Sequence, residues 1–436
     1  MPPHVTSGLP WIGAGLHLLR NPTEFFRRAR LVHGDTYVVD AFGRRLFCVF
    51  SARGVRRLYE LPEDEASFGI ATFNLLKAKV PIEIFLGRRN RPHDLFGNQE
   101  VERYLDVLEK TVALEIEELG TSGRFEVFDR MRRLGHRLGC GAWAGTEAAS
   151  PRYLDRLIPL FDRLDSSDSF VRPIQGLIAH ATKQVRERRA QHGIEAILGE
   201  ILDERRNNGR RPDDFLDQIW DSFDDVPEET RSVQVARDVM VLHMGAQSNL
   251  YAALAWTFVN VLLRPALLER IRNGDDALLE RCANESIRMA QRSITLRHVL
   301  KPTRIDDGHQ TYRIEPGVLI ATMLSVTNTS CGPGLEDFEP YHYEGRRLAS
   351  DVKVPTKELV STFGHGRHSC PAQRFAITAI RVSVRALLER FDFTPGFTSA
   401  EPRRRQLGGV ARSENPCWVS YDLRSDARES RRPQNR

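Results

Sequence analysis

Val239 to Leu263 contains no Asp, Glu, Lys or Arg, and that stretch restricts the possible folds of this chain more than any other. Its length is near the ~20 residues that a bilayer span requires. The middle of it, however, is His243, Gln247, Ser248 and Asn249, groups that are costly to place in lipid. A long helix enclosed by a large protein satisfies both facts, because neighbouring elements can supply the hydrogen bonds that buried polar groups need. Pro265 sets its end, since the residue before a proline is pushed out of the α region.

Enclosing such a helix takes a large body, and 436 residues provide one. Helix-period apolar patterns run through 100–119, 152–163, 180–205, 232–264, 266–291 and 371–391. Residues 36–50 read as two short strands around Phe42-Gly43, and 304–308 followed by Tyr312–Ile314 reads as a second hairpin, with a strand-like Gly317–Met323 after it. There is no linker and no repeat. The expected architecture is mainly α: one catalytic domain over residues 1–424, with a small sheet assembled from both ends of the chain. Ser425–Arg436 is charged and apolar-poor, so a disordered tail is expected. A net charge of +5, scattered and without interleaved aromatics, argues against nucleic-acid binding. The six cysteines are too widely spaced for a disulfide framework or a structural zinc site. A reducing, cytoplasmic setting is therefore the expectation, and the N-terminal residues offer no anchor helix.

The segment richest in chemistry is Phe363-Gly364-His365-Gly366-Arg367-His368-Ser369-Cys370-Pro371-Ala372, which leads into a helical pattern. Two glycines permit tight, partly left-handed turns. A cysteine at the mouth of a helix lies among unsatisfied N–H groups, which favour the thiolate, the form that ligates metals. Pro371 suits a first helical turn. Taken alone, Cys370 would read as a buried cysteine in an ordinary loop. The whole string resembles the haem-binding loop of cytochromes P450, Phe-Gly-x-Gly-x-(His/Arg)-x-Cys-x-(Gly/Ala). That resemblance implies the cytochrome P450 fold and haem b, with Cys370 as the axial ligand to iron and Phe363 packed near the sulfur. It also implies that His368 bonds a propionate, and that Gly364 and Ala246 belong to the cofactor site. A thiolate ligand donates electron density that favours O–O cleavage.

Other segments resemble the same family in order and spacing, from about residue 9 to residue 424. Glu285-Ser286-Ile287-Arg288, some eighty residues before Cys370, matches its structural Glu-x-x-Arg pair; read on its own, an i,i+3 pair is an ordinary surface ion pair. Arg297 matches the second propionate ligand, and would otherwise read as a solvated strand residue. Asp337–Tyr343 occupies the place of the Pro/Phe/Arg motif without a clean match. Leu9–Gly13, Asn21-Pro22 and His33–Asp35 resemble the entry segment.

The family's monooxygenases commonly carry Ala/Gly-Gly-x-Asp/Glu-Thr on the distal helix. Here the aligned string is Gly245-Ala246-Gln247-Ser248-Asn249, with Trp256 as the anchor. Ser248 replaces the acid and Asn249 the alcohol. Either these groups and Gln247 satisfy a buried helix, or Asn249 bonds an oxygen ligand or positions a water. His243 reads as a core residue. The pattern resembles the branch with sterol 7α- and 12α-hydroxylases and prostacyclin synthase, in which His93 would approach a propionate. Absence of an anchor suggests a soluble bacterial member. The resemblance implies a monomeric monooxygenase acting on a steroid, terpenoid or polyketide-like compound, with electrons from a separate ferredoxin or similar donor. Arg88, Arg89, Arg91, Arg374 and Arg381 would offer that donor a basic face. The alternatives are an isomerase, dehydratase or peroxide-using enzyme that needs no reductant, or a haem-based sensor.

Overall fold

Glu228–Leu262 forms the longest helix among the described residues, and its burial organises everything else. The computed structural model describes residues 2–5, 10–89, 101–165 and 173–425. The central helix ends at Leu262, and Pro265 opens the next helix instead of closing this one. Helices Val127–Trp143, Val185–Asn207, Asp276–Ala290 and Gln373–Arg390 pack around it. Gly135 sets the closest approach: a Cβ there would lie 2.9 Å from the Tyr251 Cβ. Among the described residues, no single helix is long and apolar enough to cross a membrane.

Helices appear at Val101–Leu119, Pro151–Arg163, Val185–Asn207 and Gln373–Arg390, where apolar periodicity places them. The 266–291 pattern is not one helix. It breaks into Pro265–Arg272 and Asp276–Ala290, because Gly274 takes a φ of +100° that continues no helix. Val127–Trp143 is missing from the sequence expectation, since four arginines dilute its apolar period. One of them, Arg137, is fully buried, and its guanidinium donates to Glu115 at 2.6 Å.

The main sheet has six strands in the order His4–Val5, Thr36–Ala41, Arg44–Val49, Leu319–Met323, Ile294–Val299, Ala66–Ser67. Its second contribution thus comes from residues 294–323, not from the C-terminal end. Of the C-terminal strands, Trp418–Leu423 pairs instead with both Phe391–Pro395 and Ser122–Glu126 in a separate sheet. Residues 426–436 of the expected tail lie outside the described residues.

His243 sits in the core, and its partners fix its protonation. Trp143 can only donate, so Nδ1 of His243 accepts from the indole at 3.1 Å. Its Nε2–H therefore donates to Nδ1 of His136 at 2.9 Å, whose Nε2–H reaches Asp162 at 3.2 Å. Burial, reinforced by His136, drives the His243 imidazole well below its ordinary value. The unfolded residue takes up a proton near pH ~6.5 while the folded one resists. Stability is accordingly full above that pH and falls as pH drops below it. Denaturant midpoints should decline from pH about 7.5 to about 5.5, and His243→Gln should flatten that slope while lowering the neutral-pH midpoint. Parallel pH curves for the two proteins would contradict this.

Candidate active site

The cysteine loop is held open by backbone geometry. Ser361 N–H donates to the Asn328 carboxamide at 2.8 Å, Gly364 N–H to Ser361 Oγ at 3.1 Å, and Cys370 N–H to the Phe363 carbonyl at 2.6 Å. Gly364 must be glycine: its φ is +77°, and a Cβ would sit 2.2 Å from the His368 carbonyl oxygen. The helix after the loop starts at Gln373, so Pro371 lies outside it and Cys370 is one turn from its mouth, contrary to expectation. What remains of the helix-end effect is the Ala372 N–H. Burial pushes the Cys370 thiol up, and that N–H works against it. A bound metal cation would supply the stronger opposing bias, since a coordinating thiol is deprotonated outright.

Arg297 is nearly fully buried in strand Ile294–Val299, so it is no solvated strand residue. The Leu58, Tyr59 and Ala66 carbonyls accept from its guanidinium and fix its plane. It reaches Glu63 Oε1 at 2.6 Å, and His368 Nε2 lies 3.4 Å from the same oxygen. Two side chains separated by seventy residues thus converge on one carboxylate, the chemistry a propionate would present. Glu63 is half-exposed and able to yield its place. The donor set fits a haem, with Cys370 for the iron and Arg297 and His368 for a propionate. Glu63 carries no motif of its own, and sequence reasoning missed it.

Past its solvent-facing N-terminal turns at Glu228–Gln234, the central helix opens most over one short stretch. Gly245 and Asn249 are exposed, and Ala246 and Ser248 are half-buried, while residues 250–259 are all buried. A Cβ on Gly245 would meet nothing within 4 Å. Gln247 does not share this face: it is buried, and its amide donates to the Phe161 carbonyl at 3.2 Å. That contact separates it from Asn249, Ser248 and Ala246, with which the sequence grouped it. Asn249 Oδ1 accepts from Val410 N–H at 2.9 Å. The contact brings in the turn Gly408–Ala411, which sequence reasoning also missed, although a Gly-Gly pair marks turns. His93 and Arg91 lie outside the described residues.

Behind the loop, Glu285 and Arg288 are both 0% exposed, so this is not a surface pair. Arg288 Nε donates to Glu285 at 2.7 Å, and the guanidinium also reaches the Asn328, Leu335 and Asp337 carbonyls. His342 Nδ1 lies 3.0 Å from Glu285 Oε1. The segment without a clean motif therefore supplies a third member, as histidine. The expected basic face is largely neutralised: Arg88 pairs with Asp238, Arg89 with Asp225, and Arg381 with Asp276 and Glu280.

A helical body with small sheets, a glycine-hinged cysteine and a carboxylate-binding pair defines a haem-thiolate oxidoreductase. The chain belongs to the cytochrome P450 family, whose sequence model matches residues 153–419. It is similar to the 24-hydroxycholesterol 7-alpha-hydroxylase of Homo sapiens, at 22% identity over 97% of this chain and 94% of that protein. It is also similar to lanosterol 14-alpha demethylases: 22% identical to that of Rattus norvegicus, over 97% of this chain and 88% of that protein, and 21% to that of Bos taurus, over 90% and 82%. The cofactor is haem b and the reaction type monooxygenation. Monooxygenases of this family bind apolar substrates and draw electrons from a redox partner.

Proposed function

We propose that this enzyme hydroxylates a sizeable apolar substrate of steroid-like size, with Cys370 as the thiolate ligand. A substrate C–H, dioxygen, two electrons and two protons give the alcohol and water. The electrons come from a separate ferredoxin-type protein. The near full-length similarity to a sterol 7-alpha-hydroxylase carries the substrate reading. Bound haem supplies oxygen activation. Arg297 and His368 hold its carboxylate side, and the loop from Phe363 to Cys370 aims the sulfur. Gly245 and Ala246 keep the helix face low, which leaves room for a bulky ligand. Asn249 cannot ionise, so protons reach this face through water or substrate.

The test is spectroscopic first. Reduced protein under carbon monoxide should give the red-shifted Soret band of thiolate ligation, and steroid titration should give a substrate-type spectral change. Hydroxylated product should then require dioxygen and reductant together. Absence of the thiolate band, or product formed anaerobically without reductant, would overturn the reading.

A further inference from the structure

The orientation of Asn249 is not free, and what fixes it begins beside the cysteine loop. Gln291 donates to the Thr362 carbonyl at 3.4 Å, and its Oε1 accepts the Ser293 hydroxyl at 2.9 Å. With its proton committed there, Ser293 Oγ accepts from Gly409 N–H at 3.0 Å. The turn Gly408–Ala411 is laced to the chain on the same side: Gly408 N–H donates to the Arg292 carbonyl, Arg292 N–H to the Gly409 carbonyl, and Ala411 N–H to the Ala290 carbonyl, each at 2.8 Å. Gly409 has a φ of +63°, and a Cβ on it would lie 2.7 Å from Asn249 Oδ1. The turn is therefore rigid and pressed against the carboxamide.

Val410 N–H can only donate. The oxygen end of the Asn249 carboxamide must face it, because a flip would set NH2 against N–H. The NH2 end then belongs to the exposed side of the helix, where Gly245, one turn earlier, leaves open space. Among the described residues that NH2 has no protein partner. We infer that Asn249 is a locked hydrogen-bond donor, presenting N–H and no acceptor to the distal site, so that the site selects a ligand or substrate with an acceptor oxygen at that position. A hydroxyl at the same place could both give and accept a proton; this carboxamide can only donate. Ser293 and Gly409 act as positioning residues through Val410.

The inference rests on the haem-thiolate reading, and two measurements keep the two apart. Amide hydrogen exchange at Val410 tests the lock with or without cofactor. The C–O stretch of the reduced carbonyl form, with carbon monoxide as the probe acceptor, tests the donor. Asn249→Asp above neutral pH should keep Val410 protected yet raise the C–O frequency, because the acceptor stays and the donor is gone. Asn249→Leu should raise the frequency as well and speed Val410 exchange by up to about tenfold, the worth of one hydrogen bond. Unchanged Val410 exchange in Asn249→Leu, or an unchanged C–O stretch in both variants, would overturn the inference. A missing thiolate band with normal Val410 behaviour would instead condemn the haem-thiolate reading alone.

Discussion

Cys370→Ser is expected to give a folded protein with no thiolate spectrum and a loss of turnover beyond the roughly 10–100-fold that altering even an outer partner of a metal ligand costs. The loop does not depend on the sulfur for its shape. Its hydrogen bonds run from the Cys370 and Gly364 N–H groups to Phe363 and Ser361, and a serine leaves them in place. Unfolding midpoints of the two haem-free proteins should therefore differ little, within the ~0.5 kcal/mol of a substitution that removes no packed group. The hydroxyl stays protonated, and its hard oxygen does not replace a soft thiolate. The other cysteines offer no substitute. Cys48, Cys140, Cys282 and Cys417 are buried, and burial pushes Cys282 up to about 12 and Cys331 up to about 11. A thiolate band that survives in Cys370→Ser would show that the ligand had been misassigned. The same loss in a protein whose midpoint collapsed would say only that the loop had been broken, so both measurements are needed on one preparation.

What could be read in advance follows from how local the determinants are. The cysteine loop and the Glu285–Arg288 pair are short strings whose glycine, proline and charge spacing carry their own geometry. The central helix was legible because a run without charges admits few environments. The Val127–Trp143 helix was not, because its buried Arg137 looks like a surface residue until Glu115 and Glu118 are brought to it from the neighbouring helix. Arg297 shows the same limit. Its position could be matched, but its partner Glu63 lies more than two hundred residues away and is set by the pairing of Ala66–Ser67 with Ile294–Val299. Gln247 failed for a different reason. Adjacent residues on a helix face different ways, so its nearness in sequence to Asn249 carried no information about which side it serves.

Breaking the Glu285–Arg288 unit should have the largest effect on stability of any single substitution here. Removing one partner of a buried ion pair costs about 3–5 kcal/mol, against a total of about 5–15 for a typical protein. Arg288→Ala should be the most damaging change, because it strands the carboxylate and also orphans the Asn328, Leu335 and Asp337 carbonyls. Glu285→Gln keeps the shape but loses the charge, and should cost less. His342→Ala removes one hydrogen bond at a less buried position, worth about 1 kcal/mol. Acid separates this mechanism from simple packing loss. Burial raises the Glu285 carboxyl, but the hydrogen bonds from Arg288 and His342 outweigh it and hold the group below the ordinary carboxylate range. That share of stability is present above the unfolded value of about 4.3 and is lost as pH falls toward the folded one. Urea midpoints of the parent should therefore drop through that acid range more steeply than those of Glu285→Gln. A Glu285→Gln protein within about 1 kcal/mol of the parent, with the same acid limb, would mean that the buried pair is dispensable and that the Asn328–Asp337 segment is held by packing instead.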